Sequence, residues 1–167
     1  MKHLYAPWRS VYFDKKRDGC PFCLAELASE DEERGVLFRA KECFGIMNLY
    51  PYNPGAFMVI PYIHTNRLDE LSDECWEEMS GFVKLGVFIV KKYLKADGVN
   101  IGMNIGEAAG AGIAEHIHYH IVPRWYKDTN FITTIAETRV AGTSFEKIYL
   151  KLKNGFDEEI LRKNKEN

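Results

Sequence analysis

No stretch of this sequence is apolar for long enough to span a bilayer, and its first residues lack the make-up of a secretory signal. The expectation is a cytoplasmic protein with no membrane partner. An excess of one charge sign is also missing. There are 22 Lys and Arg against 24 Asp and Glu, a formal net charge of −2. That balance argues against a general nucleic-acid or anionic-membrane surface, while a small anionic ligand needs only local positive potential. Cysteine is sparse: Cys20, Cys23, Cys43 and Cys75. Without a secretory signal these do not read as a disulfide framework, and Cys43 and Cys75 read as small buried hydrophobes. Internal repeats and low-complexity linkers are absent. A chain of 167 residues, 46% hydrophobic and 28% charged, has the profile of one globular domain.

What is present is concentrated in one stretch. Three of the five histidines, His116, His118 and His120, alternate with Ile117, Tyr119 and Ile121. Those apolar residues favour strands, and a strand's period of two would put all three imidazoles on one face. Packing does not explain this, because each buried imidazole carries two nitrogens that need partners. Two chemistries compete: metal binding through neutral imidazole nitrogens, or a nucleophilic imidazole whose neighbours orient it and supply a proton. Just upstream, Asn104 to Gly112 is rich in small residues. Glycines let backbone N–H groups approach an anion closely. The loop lacks the Lys-Ser/Thr ending of a P-loop and leads into a strand, so helix-dipole binding is not implied.

Cys20-Pro21-Phe22-Cys23 has the spacing of half a tetrahedral zinc site. No second cysteine pair exists, so the other ligands would come from His3, His64 and one histidine of the triad. A metal-free knuckle is the competing reading, with zinc ahead of it.

The pattern predicts an α+β domain: a meandering antiparallel sheet with a long helix packed on one face. Strands are expected at Val36–Arg39, Phe44–Leu49, Ala56–Ile60, Val99–Met103, the histidine stretch and Phe131–Val140. Ser72-Asp73-Glu74 reads as a helix N-terminus with a capping hydroxyl. Trp76, Met79, Val83, Val87, Val90 and Leu94 form its apolar stripe, and Gly98 a stop. Tyr50 to Gly55 reads as a turn. A single domain over 1–167 is expected, with residues 1–19 an arm, Ser144–Leu152 a helix, and 153–167 a charged, solvated tail.

His116-Ile117-His118-Tyr119-His120-Ile121-Val122 resembles the signature of the histidine-triad family of nucleotidyl hydrolases and transferases, including the Pro123-Arg124 that follows. Asn48, Pro54-Gly55 and Val59-Ile60-Pro61 followed by His64 resemble its nucleotide-binding hairpin. The resemblance implies a homodimer in which two sheets join, a small nucleotide substrate, and ribose contact at Asn48. It implies structural zinc held by Cys20, Cys23, His64 and His116. It also implies His118 as nucleophile at an α-phosphorus, forming a nucleotidyl-histidine intermediate. His116 and His120 would flank it, bonding phosphoryl oxygens and protonating the leaving group; which is the acid stays open. If His116 binds zinc, His120 inherits most of the proton chemistry. Asn104 and the amides of Gly110, Ala111 and Gly112 would hold phosphoryl oxygens.

Many hydrolases of the family carry Gln and then Ser or Thr where this chain has Gly112 and Ile113. The spacing from Asn104 to His116 is also one residue longer than in those hydrolases. In this the loop is similar to that of bacterial diadenosine-polyphosphate phosphorylases, in which orthophosphate replaces water. The reaction expected is cleavage of a dinucleoside polyphosphate such as diadenosine tetraphosphate. The alternatives are a nucleoside phosphoramidate hydrolase, an enzyme with one metal on all three histidines, and a non-catalytic nucleotide-binding module.

Overall fold

The computed structural model describes residues 19–26, 31–51, 53–126, 128, 135 and 143–166. The expected arm, except Gly19, and the expected strand at Phe131–Val140, except Ile135, lie outside them. Among the described residues, four helices and five strands carry the architecture: α1 (Pro21–Glu26), α2 (Asp31–Arg34), β1 (Val36–Arg39), β2 (Cys43–Met47), β3 (Phe57–Pro61), α3 (Asp73–Tyr93), β4 (Gly98–Gly102), β5 (Tyr119–Arg124) and α4 (Phe145–Glu166). The strands form one sheet in the order β1-β2-β3-β5-β4, antiparallel at every pairing. The expected α+β class holds, with one change to the simple meander. The chain leaves β3 through α3, lays β4 at the outer edge, and returns to insert β5 between β3 and β4.

Both faces of the sheet are covered, and strand periodicity divides them. Phe57 and Val59 point to the helix side, where Met79, Ile89, Val90, Leu152 and Phe156 complete the main core. Phe44, Ile46, Met58 and Ile60 point to the other side, where Phe22 of α1 packs on them. His120 pairs with Met58 across β3 and β5, so its side chain belongs to this second face.

Helix α3 starts as the sequence predicts. The Ser72 hydroxyl accepts the Cys75 N–H at 3.1 Å, a cap worth about 1 kcal/mol. Its buried stripe is rotated from the expected one: Cys75, Met79, Val83, Leu85, Gly86, Ile89 and Val90 are buried, whereas Trp76 is exposed and lies tilted over Tyr119. Gly98 is not the stop. Leu94 caps the helix, Lys95 turns the chain at φ 57°, and Gly98 already begins β4.

The C-terminal segment also corrects the sequence reading. Lys153 to Glu166 is not a solvated tail but the continuation of α4, and Gly155, Phe156 and Glu159 in it are buried. Ile148, Leu152 and Phe156 recur every four residues and dock on the sheet and α3. The buried Glu159 carboxylate is paired with Lys92 at 2.7 Å and Arg162 at 3.1 Å. Among the described residues, no helix is long and apolar enough to cross a membrane.

Candidate active site and thiol–imidazole cluster

The three histidines do not share one strand. Only His120 lies in β5; His116 and His118 precede it. The register pairs Val59 with Tyr119 and Met58 with His120, and stops there. Two steps further, Ile117 would oppose Pro61, which has no N–H to give a ladder. The Ile117 N–H instead donates to the Thr65 carbonyl at 2.8 Å. This departure from the strand turns His116 and His118 into the protein, leaving them 1% and 5% exposed.

Each imidazole then has a distinct environment. His118 Nδ1 lies 2.8 Å from the His116 carbonyl oxygen, which can only accept. Nδ1 therefore carries the proton, and Nε2 keeps its lone pair. Burial pushes the His118 pKa below its ordinary value, with the bond to the His116 carbonyl opposing that shift. The buried ring is held neutral, as a nitrogen nucleophile requires. The His120 ring sits 4.7 Å from that of His118 at 70°, half-buried on the same face of the site.

His116 is arranged the other way round. Its Nε2 lies 2.9 Å from the Pro61 carbonyl oxygen and so bears the proton. Its bare Nδ1 faces Cys20 Sγ at 3.4 Å and Cys23 Sγ at 3.7 Å. Cys23 Sγ also lies 3.3 Å from His64 Nδ1. The ligand atoms of Cys20, Cys23, His64 and His116 all lie within 4.8 Å of one another. In a tetrahedral zinc site, a sulfur and an imidazole nitrogen are separated by about 3.6 Å, from bond lengths of about 2.3 and 2.05 Å. The measured separations bracket that edge, and the donor set is a soft, four-ligand one. These residues fit zinc. Because His116 and His118 turn different nitrogens to different partners, one metal on all three triad histidines does not fit.

The other expected residues gather around this pair of sites. Asn48, half-buried after β2, uses Oδ1 to accept the Tyr50 N–H at 2.9 Å, an Asx turn at the start of the Tyr50–Gly55 turn. Gly55 completes that turn at φ +78°. Buried Asn53, which the sequence did not single out, ties the same turn to the end of β5: its Nδ2 donates to the Pro123 carbonyl at 2.8 Å and to Asp128 at 3.0 Å. The glycine loop begins where β4 ends, at Gly102, the residue paired with His120. It is thus delivered to the triad as the sequence suggests. Asn104 Nδ2 donates to the Gly110 carbonyl at 3.4 Å. The Gly110 and Ala111 amides are engaged inside the loop, donating to Glu107 O at 2.9 Å and Gly106 O at 3.4 Å. Here they are turn-forming donors rather than donors aimed at a ligand, and Gly112, exposed, takes no part in those turns.

Sequence reasoning also missed Phe22. It lies between the two knuckle cysteines and is 5% exposed. Its ring packs edge-on against His116 at 5.5 Å and His118 at 4.9 Å. The available signal was a large apolar residue inside a metal-type knuckle.

The family described as HIT domain matches residues 29–126. The chain is 38% identical over 150 residues to an AP-4-A phosphorylase of Mycobacterium tuberculosis, covering 84% of this chain and 76% of that protein. It is 34% identical over 98 residues to a bis(5'-adenosyl)-triphosphatase of Saccharomyces cerevisiae, covering 57% of this chain and 46% of that one. Among solved structures, a zinc-bound histidine triad family protein from Mycobacterium smegmatis superposes with a TM-score of 0.69 at 27% identity, covering 86% of this chain and 97% of that chain.

Proposed function

The chain belongs to the HIT domain family, and on that footing we propose that it cleaves dinucleoside polyphosphates of the diadenosine tetraphosphate kind through a nucleotide carried on His118. The observation that carries this reading is the His118 Nδ1–H bond to the His116 carbonyl at 2.8 Å, which leaves Nε2 bare in a buried, neutral ring.

His118 Nε2 attacks the α-phosphorus. An N–P bond forms, the bond to the bridging oxygen breaks, and the polyphosphate arm leaves with that electron pair, as ATP when the substrate is diadenosine tetraphosphate. The leaving oxygen takes a proton from His120, whose ring adjoins that of His118. His116 does not share that work, because both of its nitrogens are directed elsewhere. Its part is to orient His118 through its carbonyl. An incoming oxygen nucleophile then attacks the same phosphorus, the N–P bond breaks, and His118 returns to its neutral form.

The second nucleophile is orthophosphate, giving ADP. What supports this is the likeness to the AP-4-A phosphorylase and the space at exposed Gly112, where a side chain would stand in many hydrolases. Asn48 serves the ribose, and Asn104 with Gly112 the phosphoryl oxygens.

Cys20, Cys23, His64 and His116 would hold zinc, which when bound would supply structural cross-linking rather than a step of the reaction. His64 thereby belongs to the metal rather than to the substrate. Two copies join along β4, the more exposed of the sheet's two edge strands, where Asn100, Ile101 and Gly102 are exposed.

Incubation with diadenosine tetraphosphate, with and without orthophosphate, tests the reading. ADP plus ATP formed only with phosphate is the expected result. AMP plus ATP regardless of phosphate would keep His118 and refute phosphate as acceptor. No cleavage under either condition would refute the substrate class.

A further inference from the structure

The thiol–imidazole cluster and the nucleophile are neighbours in the fold, and two physical links join them. One is the backbone: His116, a cluster residue, accepts the His118 Nδ1–H through its carbonyl at 2.8 Å. The other is a side chain. Phe22 sits in α1 between Cys20 and Cys23, so its backbone moves with the two thiols. Its ring reaches out of the knuckle, meets the His116 ring at 86° and the His118 ring at 63°, and is buried with Val36, Phe44, Ile46, Met58 and Ile60.

The His118 ring is tied covalently at Cγ and by the hydrogen bond at Nδ1. The rings packed around it limit the residual tilt that aims Nε2. His120 supplies one, at 4.7 Å, but as the proton donor it must respond to substrate. Phe22 supplies the other at 4.9 Å, and its chemistry allows it only to pack.

We infer that Phe22 is a positioning residue for His118, and that through it the state of the Cys20–Cys23 knuckle sets the aim of the nucleophile. When the four ligands are clasped together, the knuckle presses the Phe22 edge against the imidazole. When the thiols are released by loss of metal, α1 loses its anchor, Phe22 withdraws, and the His118 ring turns off the line of attack. The site thus senses the metal without the metal touching substrate. This rests on the proposed role of His118 as nucleophile.

The test crosses two perturbations: Phe22→Ala and removal of zinc by a chelator. Zinc per chain, kcat and KM for diadenosine tetraphosphate with orthophosphate, and the NMR signal of the His118 Nδ1–H are measured in all four states. Phe22→Ala is expected to keep its zinc and KM while kcat falls about 10- to 100-fold, the scale of a reacting group displaced by about an ångström. The Nδ1–H signal should broaden through faster solvent exchange. Zinc removal should lower wild-type kcat by a similar factor and leave the Phe22→Ala variant unchanged, because both perturbations remove the same strut.

Unchanged kcat in a zinc-replete Phe22→Ala protein would overturn the inference. So would equal losses on zinc removal with and without Phe22, which would assign the coupling to the His116 backbone, or a folded wild-type protein that takes up no zinc. If the alanine variant does not fold, Phe22→Leu fills the volume without the flat edge and should give an intermediate kcat at full zinc; wild-type kcat there would equally overturn it. Turnover retained by His118→Ala would instead strike the nucleophile assignment itself, so the two failures are distinguishable.

Discussion

His118 donates its Nδ1–H to the carbonyl of His116, two residues earlier in the chain, across 2.8 Å. One short bond therefore decides which nitrogen of the proposed nucleophile is bare, and it is made by the backbone of a residue that belongs to the thiol–imidazole cluster. Much of the chemistry expected of this protein descends from that arrangement.

Burial lowers the His118 pKa from its ordinary value of about 6.5, so the neutral ring persists into more acidic solution than a solvated imidazole would. The acid limb of kcat/KM should fall below pH 6.5; a limb at or above that value would contradict the assignment. His118→Ala should lose at least about 10³-fold in kcat while its circular dichroism stays that of the wild type.

Protein purified without chelator should carry about one zinc per chain. Cys20→Ser and Cys23→Ser should each lower that content, and chelation should lower Tm, since ligands drawn together only in the folded state convert binding energy into stability. Elemental analysis and thermal melts check both. Full zinc in Cys23→Ser would remove Cys23 from the site.

Phe156 is fully buried, packed against Phe38 at 4.7 Å and Phe57 at 5.6 Å. Phe156→Ala should cost about 3–5 kcal/mol by denaturant unfolding, as a core truncation does. A surface-sized loss, under about 0.5 kcal/mol, would mean the C-terminal helix does not dock as described.

The Glu159 carboxylate is held below its ordinary pKa, first by Lys92, and it is 2% exposed. A carboxylate with a depressed folded pKa stabilises above its unfolded value, near 4.5 here, and loses that contribution as pH falls further. The Tm gap between wild type and Glu159→Gln should be open at pH 7 and close in acid. A gap independent of pH would assign the loss to packing alone.

Gly112→Gln should turn the product balance from ADP toward AMP at fixed orthophosphate, by filling the space proposed for the acceptor. Chromatography of the products reads this directly, and an unchanged ratio would make Gly112 a neutral variation.

The sequence by itself determined the residue types and the local signals. The alternation around His118 named the family, the Ser72 hydroxyl announced α3, and β1 at Val36–Arg39 was legible to the residue, because these depend on neighbours only a few positions away. The spacing of Cys20 and Cys23 suggested half a site for the same reason. Tertiary structure decided the rest. His116 and His118 leave the strand because Pro61, far off in the chain, has no N–H to pair with, and Thr65 takes Ile117 instead. One face of the charged C-terminal stretch became core because α3 and the sheet were there to bury Phe156, and Lys92 was there to pair Glu159. A local pattern fixes which groups a segment offers; which of them meet, and which imidazole nitrogen is left bare, depends on partners that only the folded chain brings within hydrogen-bonding distance.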